Sequence, residues 1–106
     1  AELRRKEEAE ELRIKQEARA RKEKELSDFK SLYILANRLH QASIMRNYLS
    51  QAEGHANKNG LNTEEFTQWV DWAKRKIDWY DPLINAKDET FAEEDKTKIF
   101  QDLIQR

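Results

Sequence analysis

Apolar residues recur along the middle of the chain as Leu35, Leu39, Ala42, Met45, Leu49, Ala52 and Ala56, in steps of four and three. That period places them on one stripe of an amphipathic α-helix. Phe29, Leu32, Tyr33 and Ile34 widen the stripe at its start. Asn57, Lys58, Asn59 and Gly60 interrupt it, and asparagine and glycine tolerate the positive φ that a helix end and chain reversal require. The pattern predicts a helix ending near Ala56. A second stripe follows in Phe66, Trp69, Val70, Ala73, Ile77 and Tyr80. Thr63 is its predicted N-cap, with Glu64 and Glu65 favourable in the first turn. Asp81-Pro82 closes it, because a residue before proline avoids the α region. Residues 83–89 read as a loop. Thr90 then caps a last, shorter helix, with Glu93 and Glu94 in its opening turn and Phe91, Ile99, Phe100, Leu103 and Ile104 apolar.

Upstream the pattern differs. Residues 1–28 hold nine basic and nine acidic side chains mixed at helical spacing, among them Glu2 and Lys6, Glu11 and Lys15, and Glu17 and Arg21. Such a pair contributes about 0.2–0.5 kcal/mol on an isolated helix. Leu3, Leu12, Ile14 and Leu26 are too sparse for a sustained heptad seam. The block reads as a solvated helical rod. No proline or glycine separates it from the stripe that begins at Leu35, so one continuous helix is expected. The predicted fold is all-α: a long charged N-terminal helix continuing into an antiparallel helical hairpin, with a short third C-terminal helix. Its parts are a coiled-coil-like rod over 1–28 and a small helical domain over 29–106. Gly54, inside the first stripe, costs roughly 1 kcal/mol against alanine and marks either close approach of another helix or early fraying.

A short loop between two amphipathic helices implies antiparallel packing. Counting outward from the turn pairs Ala52 with Phe66, Leu49 with Val70, Met45 with Ala73 or Lys74, Ala42 with Ile77 and Leu39 with Tyr80. Small residues thus face large ones. The same count brings Arg38 towards Asp81. Trp69 lies on the core stripe. Trp72 and Trp79, seven residues apart, share a second face, which either packs on the third helix or anchors a partner. A two-helix hairpin buries little, so further cover by the third helix, a second copy or a larger parent is expected.

Composition narrows the chemistry. Charged residues are 39% of the 106, with 20 Lys+Arg against 21 Asp+Glu and a net charge of −1. The excess positive charge of a nucleic-acid binder is missing. The chain has no cysteine, two glycines and one proline, so disulfides, thiolate metal sites and a glycine-rich phosphate loop are excluded. No apolar run approaches a membrane span. His40 and His55 are too far apart on one helix to share a ligand set, and no zinc motif surrounds them. The acidic pairs sit at helix starts, where the helix dipole favours them. No serine has a nucleophile-activating context. No enzyme, cofactor or small-molecule substrate is expected.

The run Ala36-Asn37-Arg38-Leu39-His40-Gln41-Ala42-Ser43-Ile44-Met45-Arg46-Asn47-Tyr48-Leu49, with Trp69-Val70-Asp71-Trp72-Ala73 and Asp78-Trp79-Tyr80-Asp81-Pro82-Leu83, resembles the C-terminal coiled-coil and helical-hairpin region of uncharacterised bacterial proteins with no assigned activity. The likeness covers most of residues 1–83 and fades beyond. It implies a bacterial, cytoplasmic origin and no catalytic residues. The chain opens at Ala1 inside a charged repeat, so it is expected to be the C-terminal piece of a longer protein.

The expected function is therefore structural: a protein-interaction module whose partner is another protein or a second copy, with Phe29, Tyr33, Trp72 and Trp79 as the candidate contact residues. The alternative is an accessory region of a DNA-handling or mobile-element protein, with Arg38, Arg46, Lys74, Arg75 and Lys76 on phosphates.

Overall fold

The computed structural model describes residues 2–104. It is built from three helices, α1 (Glu2–Asn59), α2 (Glu64–Tyr80) and α3 (Glu93–Ile104), and among the described residues there is no strand. Among the described residues no helix is long and apolar enough to cross a membrane. The chain divides into two compact units, residues 1–34 and 35–106. The second unit begins six residues after the boundary expected at 29, because Phe29, Leu32 and Tyr33 stay exposed and the first contacts with α2 are made further along. Ala1, Gln105, Arg106 and the side chain of Ile104 lie outside the described residues.

The first unit is the charged part of α1, and all its described residues are exposed. Helix here rests on intrinsic propensity and local ion pairs. The pairs that close are Arg4–Glu8 at 3.9 Å, Arg13 with both Glu10 and Glu17, and Lys24–Asp28 at 3.0 Å. They differ from the pairs read off the sequence. Each exposed charge has several opposite charges within three or four residues, and spacing alone does not choose among them.

The second unit is built around the α1–α2 hairpin. α1 buries only Ala42, Leu49 and Ala56, seven residues apart, against Val70, Ala73, Ile77 and Tyr80 of α2. Ala42, Leu49, Ala73 and Ile77 form one buried cluster, with Ala42 fully enclosed. Alanine on both helices lets the backbones approach closely, and a seven-residue spacing keeps that seam on one face of α1. Met45, expected in the core, is 37% exposed instead. It lies about 40° around the helix from Leu49, at the edge of the seam where the groove opens.

Both ends of the hairpin have identifiable caps. α1 runs three residues past its predicted end. Gly60 takes φ +68°, and Leu61 N–H donates to the Ala56 carbonyl at 2.9 Å, the six-to-one bond of a glycine-terminated helix. Asn59 Nδ2 donates to the His55 carbonyl at 2.8 Å. Thr63 caps α2 as expected, its Oγ1 accepting from Phe66 N–H at 3.2 Å. α2 ends at Tyr80, and Asp81, extended at φ −66° and ψ 118°, precedes the proline. Thr90 does not cap α3. The loop continues to Ala92, whose N–H donates to Asp95 Oδ2 at 2.8 Å, while Thr90 N–H donates to Asp88. Phe91 therefore precedes α3. Gly54 is interior helix, and a Cβ placed there meets nothing within 4 Å, so it marks no close approach.

Two substitutions test this packing by urea unfolding. Ala42→Leu should lower stability by about 1–3 kcal/mol, because the enclosed position has no room for three more carbons. Gly54→Ala should raise it by roughly 0.5–1 kcal/mol, by restricting the unfolded chain at an open helical site.

Candidate partner-binding groove

The C-terminal end of α2 gathers most of the polar structure. The buried Asp81 carboxylate accepts from Arg46 Nη1 at 2.7 Å and from the backbone N–H groups of Leu83 and Ile84 at 2.8 and 3.4 Å. Burial pushes its pKa up, but the Arg46 bond and the two backbone donors outweigh this and hold it below the usual carboxylate value. Arg46 also reaches Asp78 Oδ1 at 3.0 Å. The expected partner of Asp81 was Arg38. Arg38 instead donates twice, at 3.0 and 2.8 Å, to the Tyr80 carbonyl, and its guanidinium stands 5.4 Å from the Tyr80 ring centre. A helix leaves its last carbonyls unpaired, so a cation at that end finds an acceptor in the backbone.

Beyond Asp81 the loop is tied back by Asp88. Its Oδ2 accepts from Lys76 Nζ at 2.6 Å and from the N–H groups of Thr90 and Phe91 at 3.0 and 2.9 Å. These donors, the lysine first, lower its pKa from 3.8 to about 2. Phe91 is thereby set edge-on to Trp79, ring centres 5.2 Å apart, with Lys76 Nζ 4.0 Å from the Phe91 centroid. Trp79 is 2% exposed. Lys96 of α3 covers it, Nζ 5.0 Å from its centroid, and this buried ammonium bonds Asn85 Oδ1 at 2.7 Å and Glu93 Oε1 at 2.9 Å. Asn85 itself takes φ +48°. Among the described residues every buried side-chain nitrogen and oxygen has a partner.

The two tryptophans of the second face therefore separate. Trp79, expected as a possible contact residue, is a core residue: Phe91 and Lys96 enclose it. Trp72 is 45% exposed and lines an open groove of about 460 Å³. The walls are Ile44, Met45 and Tyr48 of α1, Trp69, Trp72 and Ala73 of α2, and Ile99 and Leu103 of α3. Among the described residues, Gln41 and Lys76 are the only members of the lining with amide or charged groups, and Lys76 is held by Asp88. Trp69, expected in the core, stands on the groove wall at 41% exposure, tilted against Phe66. It neighbours Val70, the residue that takes the seam position, and is turned about 100° from it. Such a lining favours apolar side chains and supplies almost nothing to polarise a bond.

Phe29 and Tyr33 are exposed, in the first unit. Of the five cations named for phosphate contact, Arg38 and Arg46 are engaged at the end of α2, Lys76 pairs with Asp88, and Lys74 is 3.5 Å from Glu53. Arg75 is exposed. Residue reading missed Ile44, Tyr48 and Leu103 as groove residues. The four-residue step from Ile44 to Tyr48 beside the main stripe was the available signal. Asp88 and Asn85, which pair with Lys76 and Lys96, carried no signal, because they lie in a loop without periodicity. Comparison with family models, curated proteins and solved structures finds no match for the chain.

Acid should loosen this end of the molecule. Asp88 keeps its charge in the folded state down to about pH 2, whereas in the unfolded chain it protonates near 3.8. Its stabilisation is complete above the unfolded value and is lost as pH falls towards the folded one. The lowered Asp81 acts in the same direction. The urea midpoint should fall between pH 4 and 2, and Asp88→Asn should flatten that fall while lowering stability at neutral pH.

Proposed function

We propose that this chain is a non-catalytic protein-interaction module, and that the groove between α1, α2 and α3 receives an apolar helix face from a protein partner. The single observation behind the reading is the groove itself. Tyr48, Trp72 and Leu103 stand 63%, 45% and 68% exposed around a lining almost without polar groups. Three packed helices leave a lane that a fourth fills in a bundle, and an amphipathic helix laid in an apolar groove is a recurrent recognition mode. The tryptophan and tyrosine there are residue types that dominate binding energy at interfaces. On the resemblance carried by residues 36–49, 69–73 and 78–83, we place the chain in the bacterial cytoplasm.

The nucleic-acid reading draws less support. Four of its five cations already meet carboxylates or a helix-end carbonyl within the chain, and the net charge is −1. Phosphate binding would have to displace those partners.

Site-specific photo-crosslinking in the producing cell tests the module. A benzophenone side chain in place of Tyr48 should give one discrete protein adduct, and one in place of the exposed Glu64 should give none. Trp72→Glu, at an exposed wall position, should abolish the Tyr48 adduct while leaving helical circular dichroism intact. Equal labelling from both positions, or an adduct indifferent to Trp72, would remove the groove as the docking surface.

A further inference from the structure

We propose that the helix filling the groove belongs to a second copy of this chain, namely the Leu26–Tyr33 segment of its α1. The proposal rests on the groove being a docking surface, and adds the identity of the occupant.

Among the described residues, α1 carries a further group of large apolar side chains without cover. Leu26, Phe29 and Tyr33, spaced by three and four residues, are 50%, 65% and 57% exposed. That spacing gives the segment a single apolar edge. Glu25 and Lys30 flank that edge, and Lys24 and Asp28 lie on the far side of the helix. This is the form of helix that an apolar groove with a polar rim accepts. A second chain can present it.

The amounts also match. An aromatic side chain buries about 150–250 Å² when fully enclosed. Phe29, Tyr33, Tyr48, Trp69 and Trp72 are each roughly half exposed, and Leu26, Ile44, Met45 and Leu103 add to them. Together they hold several hundred Å² per chain, the scale of the ~800 Å² that each partner contributes to a stable interface. Each chain offers one groove and one segment, and the assembly proposed is their reciprocal exchange between two copies, the commonest closed symmetry. A net charge of −1 sets up little repulsion between them.

Sedimentation equilibrium on the full chain reads the outcome directly. The unaltered chain should run at twice its monomer mass. A segment variant, Phe29→Glu with Tyr33→Glu, and a groove variant, Ile44→Glu with Tyr48→Glu, should each dissociate at least about tenfold more readily. All four positions are exposed in the single chain, so both variants should keep their helical circular dichroism. Mixing the two variants should restore pairing in part, because one intact segment then meets one intact groove. A strict monomer at every concentration, or a segment variant that pairs like the parent, would sink the proposal. A strict monomer whose Tyr48 crosslinks to a different protein removes the second copy and leaves the groove's role standing. No self-association together with no Tyr48 adduct removes both.

Discussion

The alanine seam between α1 and α2 carries the rest of the structure. Ala42 and Ala56 on one helix and Ala73 on the other bring two backbones close enough for the hairpin's long side chains to reach across. That approach lets Arg46 meet Asp78 and Asp81, and lets Arg38 bond the Tyr80 carbonyl. A charge-assisted hydrogen bond contributes about 1.5–3 kcal/mol, and a buried carboxylate left without its partner costs at least as much. Asp81 is such a carboxylate, so the seam and the polar cluster at the end of α2 are mutually dependent.

From that end the remaining order follows stepwise. Asp81 turns the chain at Pro82 through its bonds to Leu83 and Ile84. Asp88, held by Lys76, fixes Phe91 against Trp79. Lys96 then locks the opening turns of α3 over the same tryptophan. α3 is thus fastened near its start by buried polar bonds, while Leu103 near its end remains 68% exposed. The groove is the consequence: the fastening that encloses Trp79 leaves Trp72 and Tyr48 without cover.

Much of the fold was legible in periodicity. The three helices, the Gly60 reversal, the Thr63 cap and the Asp81-Pro82 stop all follow from local rules about φ, capping and apolar spacing. Register was nearly legible: Ala42 and Ile77 share the buried cluster, as counting from the turn predicted. Two outcomes needed more than counting. Which of Trp72 and Trp79 is enclosed depends on where the twelve-residue loop 81–92 returns, and that loop has no period. Arg38 and Arg46 both lie within reach of the end of α2, and their choice of acceptor depends on the free carbonyls of a helix end, which residue identity does not display.

What the sequence determined by itself was three helices, the Thr63 cap, the Asp81-Pro82 stop and the existence of one apolar seam, because these depend on neighbours within a turn or two of helix. Only tertiary structure decided which apolar residues fell outside that seam and formed the groove. Trp69 beside Val70, and Met45 one turn from Leu49, differ from the buried residues by a fraction of a helical turn. Whether such a residue meets protein or water is settled by which element packs alongside it, and that depends on contacts between residues far apart in the chain.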